Sequence, residues 1–280
     1  MPSFAERLQN LASPPPVVAA LRLEGLIAPG PGLGRQGLSL ARLEPALKRA
    51  FGLRRLAAVA LSVNSPGGSA AQSSLIALRI RALAEEKAVP VLAFVEDVAA
   101  SGGFWLASAA DEIYCDATSI LGSVGVISAG FGFAEAIGRI GIERRLHTAG
   151  ARKSMLDPFR PEKAEDVARL QALQGDLHQV FKEHVRARRG AKLKGDDTAL
   201  FEGDIFVGRR AVEVGFADGI GTLEATVKAR FGARCRIVRV GVRRQGLLAR
   251  LLPLGAAGEG LAEGLLAAAE ARAAYARYGL

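Results

Sequence analysis

Val98-Ala99-Ala100-Ser101-Gly102-Gly103-Phe104-Trp105 joins two apolar runs of different kinds. Val89 to Val95 is a continuous apolar run of strand length, whereas Phe104 to Ala110 is apolar with helical spacing, so the stretch reads as a step from a buried strand into a helix. Ser101 occupies that step. The first N–H groups of a helix have no intrahelical acceptors, and donors of that kind can hold a developing oxyanion. Gly102 and Gly103 leave room for a second piece of chain to approach closely. Serine is also a common helix N-cap, and from this stretch alone both roles for Ser101 stay open.

The same design recurs on both sides. Leu56 to Val63 reads as a buried strand, Asn64-Ser65-Pro66-Gly67-Gly68-Ser69 as a tight turn, and Ala70 to Glu86 as a helix with Leu75, Leu78 and Leu83 at helical spacing. Such a turn can aim backbone N–H groups outward as an anion-binding nest. Downstream, Glu112 to Cys115 reads as a short strand, Ser119 to Ile127 as a glycine-containing turn, and Phe131 to Ile140 as a helix. Val17 to Ile27 suits an earlier strand, followed by a helix that Ser39 caps and that runs to Phe51. This repetition predicts an α/β fold, a spiral of stacked β-β-α units. The glycine loop at Gly30, Gly32 and Gly34 has neither a P-loop lysine nor dinucleotide-fingerprint spacing, so it is not read as a phosphate site.

Composition narrows the function classes. The chain has 280 residues, half of them hydrophobic, enough for a sizeable core. Its net charge of +9 comes from 37 basic against 28 acidic residues. The arginines are dispersed in pairs such as Arg54-Arg55 and Arg243-Arg244, without interleaved aromatics, so no nucleic-acid partner is predicted. Cys115 and Cys235 form no CxxC, and His147, His178 and His184 lack metal-ligand spacing, so neither a metal nor a cofactor is expected. No apolar core of a signal peptide precedes Pro14-Pro15-Pro16, and no membrane span is predicted; a cytoplasmic chain with optional peripheral membrane contact is the expectation.

Past a predicted strand from Arg144 to Thr148 stands Ala149-Gly150-Ala151-Arg152-Lys153-Ser154-Met155. Only eight of the 37 basic residues are lysine, so a lysine here is worth notice. Arginine does not lose its proton in a protein, whereas a buried lysine can. A long helix is expected from Glu162 to Arg189, with Val167, Leu170, Leu173, Leu177 and Phe181 as its apolar face and with His178 and His184 in structural or surface roles. Trp105 is expected in the core.

Taken together, Ser65-Pro66-Gly67-Gly68-Ser69, Ala99-Ala100-Ser101-Gly102-Gly103, Gly122 to Ile127, Gly150 to Met155 and Asp157-Pro158-Phe159-Arg160-Pro161 resemble the S49 peptidases, the signal peptide peptidase A group, which share the Clp protease and crotonase fold. The resemblance runs from about Val17 to Phe231, with Gly203 to Gly221 similar to the family's closing helix and strand. It implies Ser101 as nucleophile, Lys153 as general base, Ser123 as hydrogen-bonding support of the lysine, and the N–H groups of Gly68 and Gly102 as oxyanion hole. It further implies a peptide substrate and a homo-oligomeric ring. A neutral Lys153 is then expected to be buried against Met155 and the Ile120 to Ile127 segment, with activity rising through mildly alkaline pH. His147 is the rival base, but Arg144 and Arg145 adjoin it and no orienting carboxylate is evident.

The expected organisation is an N-terminal arm over 1–16, a peptidase domain over 17–236 and a partly helical extension over 237–280. In the extension, Leu261, Leu265, Leu266 and Tyr275 space out an amphipathic face suited to a neighbouring subunit, more so than to a membrane surface. A crotonase-like acyl-CoA enzyme, which usually has an acidic base, and a catalytically silent scaffold of the same fold are the competing readings.

Overall fold

The computed structural model describes residues 14–29, 37–241, 269 and 272–280. The loop at Gly30, Gly32 and Gly34, the first thirteen residues of the arm, and Leu261, Leu265 and Leu266 lie outside the described residues. The elements in order are β1 (Val17–Glu24), α1 (Leu40–Phe51), β2 (Leu56–Ser65), α2 (Ala70–Lys87), β3 (Val91–Ala100), α3 (Gly102–Ser108), β4 (Glu112–Cys115), β5 (Ile120–Gly122), α4 (Ala134–Arg139), α5 (Ala164–Arg189), α6 (Asp197–Phe201), β6 (Ile205–Val207), α7 (Gly208–Glu213), β7 (Gly219–Ile220), α8 (Leu223–Phe231) and β8 (Arg236–Val240). Two compact units result, one formed by Gly125–Glu183 and the other by the chain on either side of it.

In the larger unit the strands form one sheet in the order β6-β5-β3-β2-β1-β8, with β4 on β3 and β7 on β4. All these pairs are parallel except β5 with β6. Parallel strands need crossover segments between them, which the strand, turn and helix repeats supply. The strands are nearly continuous apolar runs because both faces are covered; Val59, Ala60, Leu61, Leu92 and Ala93 are fully buried. β8 is a strand that the sequence reading did not include. It pairs with β1 and closes that edge, and Cys235 just before it joins a core cluster with Val18, Leu92 and Phe94.

β3 is the pivot of this sheet. Its first half, Leu92 to Val95, pairs with β4, and its second half, Val98 to Ala100, pairs with β5. A strand that changes partner leaves carbonyls without a ladder acceptor role at the crossing, and buried orphans of that kind are costly. Ser119, buried, donates from its hydroxyl to the carbonyls of Val95 and Glu96 at that point. On the other side the ladder with β2 shifts register between Val63 and Ser65. There the Asn64 side chain accepts from Val98 N (3.3 Å) and donates to Asp97 Oδ2 (2.6 Å). The C-terminal half of β3 is thus fixed from both flanks.

α3 is buried at every position. A helix apolar all round belongs inside a core; Phe104 stacks on Phe216 with centroids 4.5 Å apart, and Trp105 stacks on His184 at 5.0 Å. Burying side chains of this size stabilises the fold by about 2 to 3 kcal/mol each. α2 packs through Ser73, Ile76, Ala77, Ile80, Leu83 and Ala84. Of the three leucines at helical spacing, Leu83 is buried while Leu75 and Leu78 are exposed, because the row containing Ile76 and Ile80 is the one that meets neighbouring elements.

The smaller unit buries few side chains. The expected strand from Arg144 to Thr148 does not form: these residues are irregular and mostly exposed, with Arg144 paired to Asp157 (3.2 Å) and Arg145 to Glu143 (2.9 Å). A strand needs a neighbour for its backbone groups, and none pairs with this segment among the described residues. The helix expected from Phe131 shortens to α4, while Phe133 stacks on Phe159 at 5.7 Å. On α5, Leu173 and Leu177 are exposed, and the buried residues come later, at Phe181, Val185 and Arg189.

Candidate active site

Ser101 sits where β3 gives way to α3, at φ 51° and ψ −124°. That region is rarely occupied by a residue with a Cβ and costs of order 1 to 3 kcal/mol. The conformation is held by bonds from Ser101 N to Gly122 O (2.8 Å) and from Trp105 N to Ser101 O (3.0 Å). The side chain makes no capping bond to α3. The N-cap role left open by the sequence is not what places this serine. Gly102 follows as the first residue of α3, where backbone N–H groups lack intrahelical acceptors.

The turn after β2 packs directly against this step. Gly67 has φ 104°, and a Cβ there would stand 2.8 Å from both Gly102 N and Ser101 Cβ, so only glycine lets the two turns touch. Gly68 forms a parallel bridge with Ile27, in which Ile27 N donates to Gly67 O (2.8 Å) and Ser69 N to Ile27 O (2.8 Å). In such a bridge the flanking residues make the bonds, so the N–H of Gly68 faces away from Ile27. Ser65, fully buried, braces the turn: its hydroxyl donates to Gly25 O (2.7 Å) and accepts from Gly67 N (3.2 Å).

Ser123 follows the residue whose carbonyl accepts from Ser101 N. It too has positive φ, 53°, and its N–H donates to Asp204 O (2.6 Å). Its hydroxyl accepts a long bond, 3.5 Å, from the Tyr278 hydroxyl. The Tyr275 hydroxyl donates to Asn64 O at 2.8 Å. Of the face that the sequence suggests for a neighbouring subunit, Tyr275 alone is described, and its polar end meets a carbonyl of its own chain. The sequence reading placed Gly67 in the nest-forming turn but gave no role to the Asn64 side chain or to Tyr278; the helical spacing of Tyr275 and Tyr278 ahead of Gly279 was the available signal for the latter.

The larger unit therefore brings Ser101, Gly102, Gly68 and Ser123 to one end of β3 and β5. Lys153 lies in the smaller unit, in a turn where its own N–H donates to Gly150 O (3.1 Å). It is exposed, as is His147. Within its own unit this turn is loosely packed: a Cβ at Gly150 would meet nothing within 4 Å. His184 is the buried histidine: burial pushes it down to about 4, and its Nε2 lies 3.2 Å from Trp105 O. It stays neutral near pH 7 as part of the support beneath α3. Burial pushes the Cys115 thiol up to about 11, which leaves it without thiolate character. Among the described residues no group of three or more His, Cys, Asp or Glu side chains is placed to hold a metal ion.

The chain is 45% identical over 273 residues to the protein named Na(+)/H(+) antiporter NhaA of Brucella abortus (strain 2308), an alignment covering 94% of this chain and 37% of that protein. It is 31% identical over 221 residues to Protease 4 of Haemophilus influenzae, covering 76% of this chain and 34% of the relative. It is 31% identical over 176 residues to the chloroplastic serine protease SPPA of Arabidopsis thaliana, covering 62% and 25%. The chain spans well under half the length of each of these relatives. The antiporter name describes a protein most of which lies outside the alignment, and no helix among the described residues is long and apolar enough to cross a membrane. The model of Peptidase family S49 matches residues 83–231, just over half of the chain and the part that holds both Ser101 and Lys153. With its sheet and its glycine-flanked serine, the chain belongs to peptidase family S49.

Proposed function

We propose that this protein is a serine peptidase that cleaves extended peptides through Ser101 and Lys153. The observation that carries the reading is the strained Ser101 itself: a serine at a strand-to-helix elbow, free of capping duty and held against the Gly67-Gly68 turn. In this reading the Ser101 hydroxyl attacks the scissile carbonyl carbon while neutral Lys153 takes its proton. The carbonyl oxygen becomes an oxyanion held by the N–H groups of Gly68 and Gly102. The tetrahedral adduct collapses, the C–N bond breaks, and Lys153 returns the proton to the leaving amine. Water then hydrolyses the acyl-serine by the same steps. Ser123 offers a hydroxyl to the lysine amine.

The apolar sequence around the two turns (Val63, Phe104, Leu121, Val124 and Val126) supports a preference for small or aliphatic substrate side chains. A homo-oligomeric ring is part of the proposal: a second copy packed over the turn that carries Lys153 would exclude water from the amine. Intact-mass analysis after treatment with a small fluorophosphonate tests the nucleophile. The expected result is one adduct on the wild type and none on Ser101→Ala; no adduct on a folded wild-type chain would overturn the reading.

A further inference from the structure

The segment from Arg272 to Leu280 crosses the end of the strand that leads into Ser101. Residues 272–276 are helical, and the chain then closes on itself: Leu280 N donates to Tyr275 O (3.3 Å), Gly279 N donates to Ala276 O (3.1 Å), and Gly279 has φ 76°. This paired 6→1 and 5→2 pattern is the Schellman motif, which ends a helix with its carbonyls satisfied. It sets Tyr275 and Tyr278 on one face, one turn apart.

The two tyrosines hold different strands. Tyr275 reaches Asn64 O near the end of β2, and Tyr278 reaches Ser123 Oγ just beyond β5. In the sheet β2 and β5 are the two neighbours of the second half of β3, whose next residue is Ser101. Adjacent strands lie about 4.8 Å apart, so the anchors are about 10 Å apart, a span that two tyrosines separated by one helical turn can bridge. For Tyr275, burial first and then the Glu24 and Asp97 carboxylates push its ionisation up, which keeps this hydroxyl a donor. A peptide lying extended beside the glycine turns would use this same edge.

We infer that the segment 272–280 is a displaceable strap over the approach to Ser101, and that a peptide must displace it to be cleaved. The inference rests on the reading of Ser101 as nucleophile. Two neutral hydrogen bonds, one of them long, form a hold that a competing peptide can break.

The test compares the full chain, a chain ending at residue 271, and the double variant Tyr275→Phe/Tyr278→Phe, which keeps both rings. Hydrogen exchange over 64–69 and 119–124 reads whether the strap is seated. The labelling rate with an aliphatic peptidyl phosphonate reads whether it competes, and a small fluorophosphonate reports whether Ser101 is reactive at all. Both altered chains are expected to exchange faster in the two segments and to react with the peptidyl probe about fivefold or more faster. Unchanged exchange overturns the inference, as does faster exchange with an unchanged peptidyl rate. If the small probe labels none of the three chains, the peptidase reading falls and the competition falls with it, while exchange alone still decides whether the segment sits on Asn64 and Ser123.

Discussion

The turn at Ser101 and the turn at Lys153 are both short, contain residues at positive φ and adjoin glycine, but they are held in opposite ways. Around Ser101 each unusual torsion is met by a neighbour: Gly67 touches the Gly102 amide, Gly122 O takes the Ser101 N–H, and a wholly buried α3 lies behind. Around Lys153, Gly150 has φ 97° and nothing near where a Cβ would stand, and the turn is largely exposed. The difference teaches that strain is kept where packing over-determines it. In the proposed mechanism, the nucleophile and the oxyanion donors are then pre-organised by the sheet, and the base is not fixed by its own unit.

The largest effect expected from this contrast is on turnover. If the proposed mechanism holds, Ser101→Ala and Lys153→Ala should each lower kcat/KM by roughly 10⁴-fold, with the double variant little worse than either, because in that mechanism the pair acts as one unit. Assays on a neutral aliphatic peptide check this. Residual turnover in Lys153→Ala that disappears on adding His147→Ala would assign the base to His147.

A stability measurement sharpens the contrast between the two turns. Gly67→Ala and Gly150→Ala both place a Cβ at similar positive φ, 104° and 97°, but only the first drives it into Gly102 N and Ser101 Cβ. The torsional cost alone is about 1 to 2 kcal/mol, and backbone displacement at the packed site should bring Gly67→Ala to roughly 4 kcal/mol. Urea unfolding of both variants reads the difference; equal losses would show that the packed elbow tolerates a methyl group and is less constrained than its contacts imply.

The support beneath the elbow is also pH-sensitive. His184 sits at about 4 in the folded chain against 6.5 for the free side chain, because burial disfavours its charged form. The unfolded chain therefore binds the extra proton between those values, and stability falls as pH drops from about 6.5 towards 4, by about 3 kcal/mol at most. Above 6.5 this contribution is fully present. His184→Gln should flatten that part of the stability profile, whereas a profile left unchanged by the substitution would remove this residue from the account. Urea midpoints measured from pH 4 to 8 decide between the two outcomes.

Much of the larger unit was legible in the residues. Apolar runs of strand length, each followed by glycine and then by helical spacing, located β2, α2, β3 and α3 within a few residues, because local propensity and burial agree there. Where the reading failed, the missing quantity was a neighbour. Leu75 and Leu78 keep helical spacing, but spacing does not say which face of α2 meets the core. Arg144 to Thr148 has a strand-like pattern and finds no partner to pair with among the described residues. β8 has few residues, and only its place beside β1 makes it a strand.

By itself, then, the order of residues determined the strand-turn-helix repeat, the position of Ser101 at a step between strand and helix, and the glycines able to let chains approach. Those are local properties, written in torsional preference and hydrophobic period. Only the tertiary structure decided that Gly67 would lie against Ser101, that β3 would change partner beside Asn64 and Ser119, and that Tyr275 and Tyr278 would fall on either side of β3. These depend on contacts between residues far apart in the chain, which form only when burial of the common core repays the entropy of bringing them together.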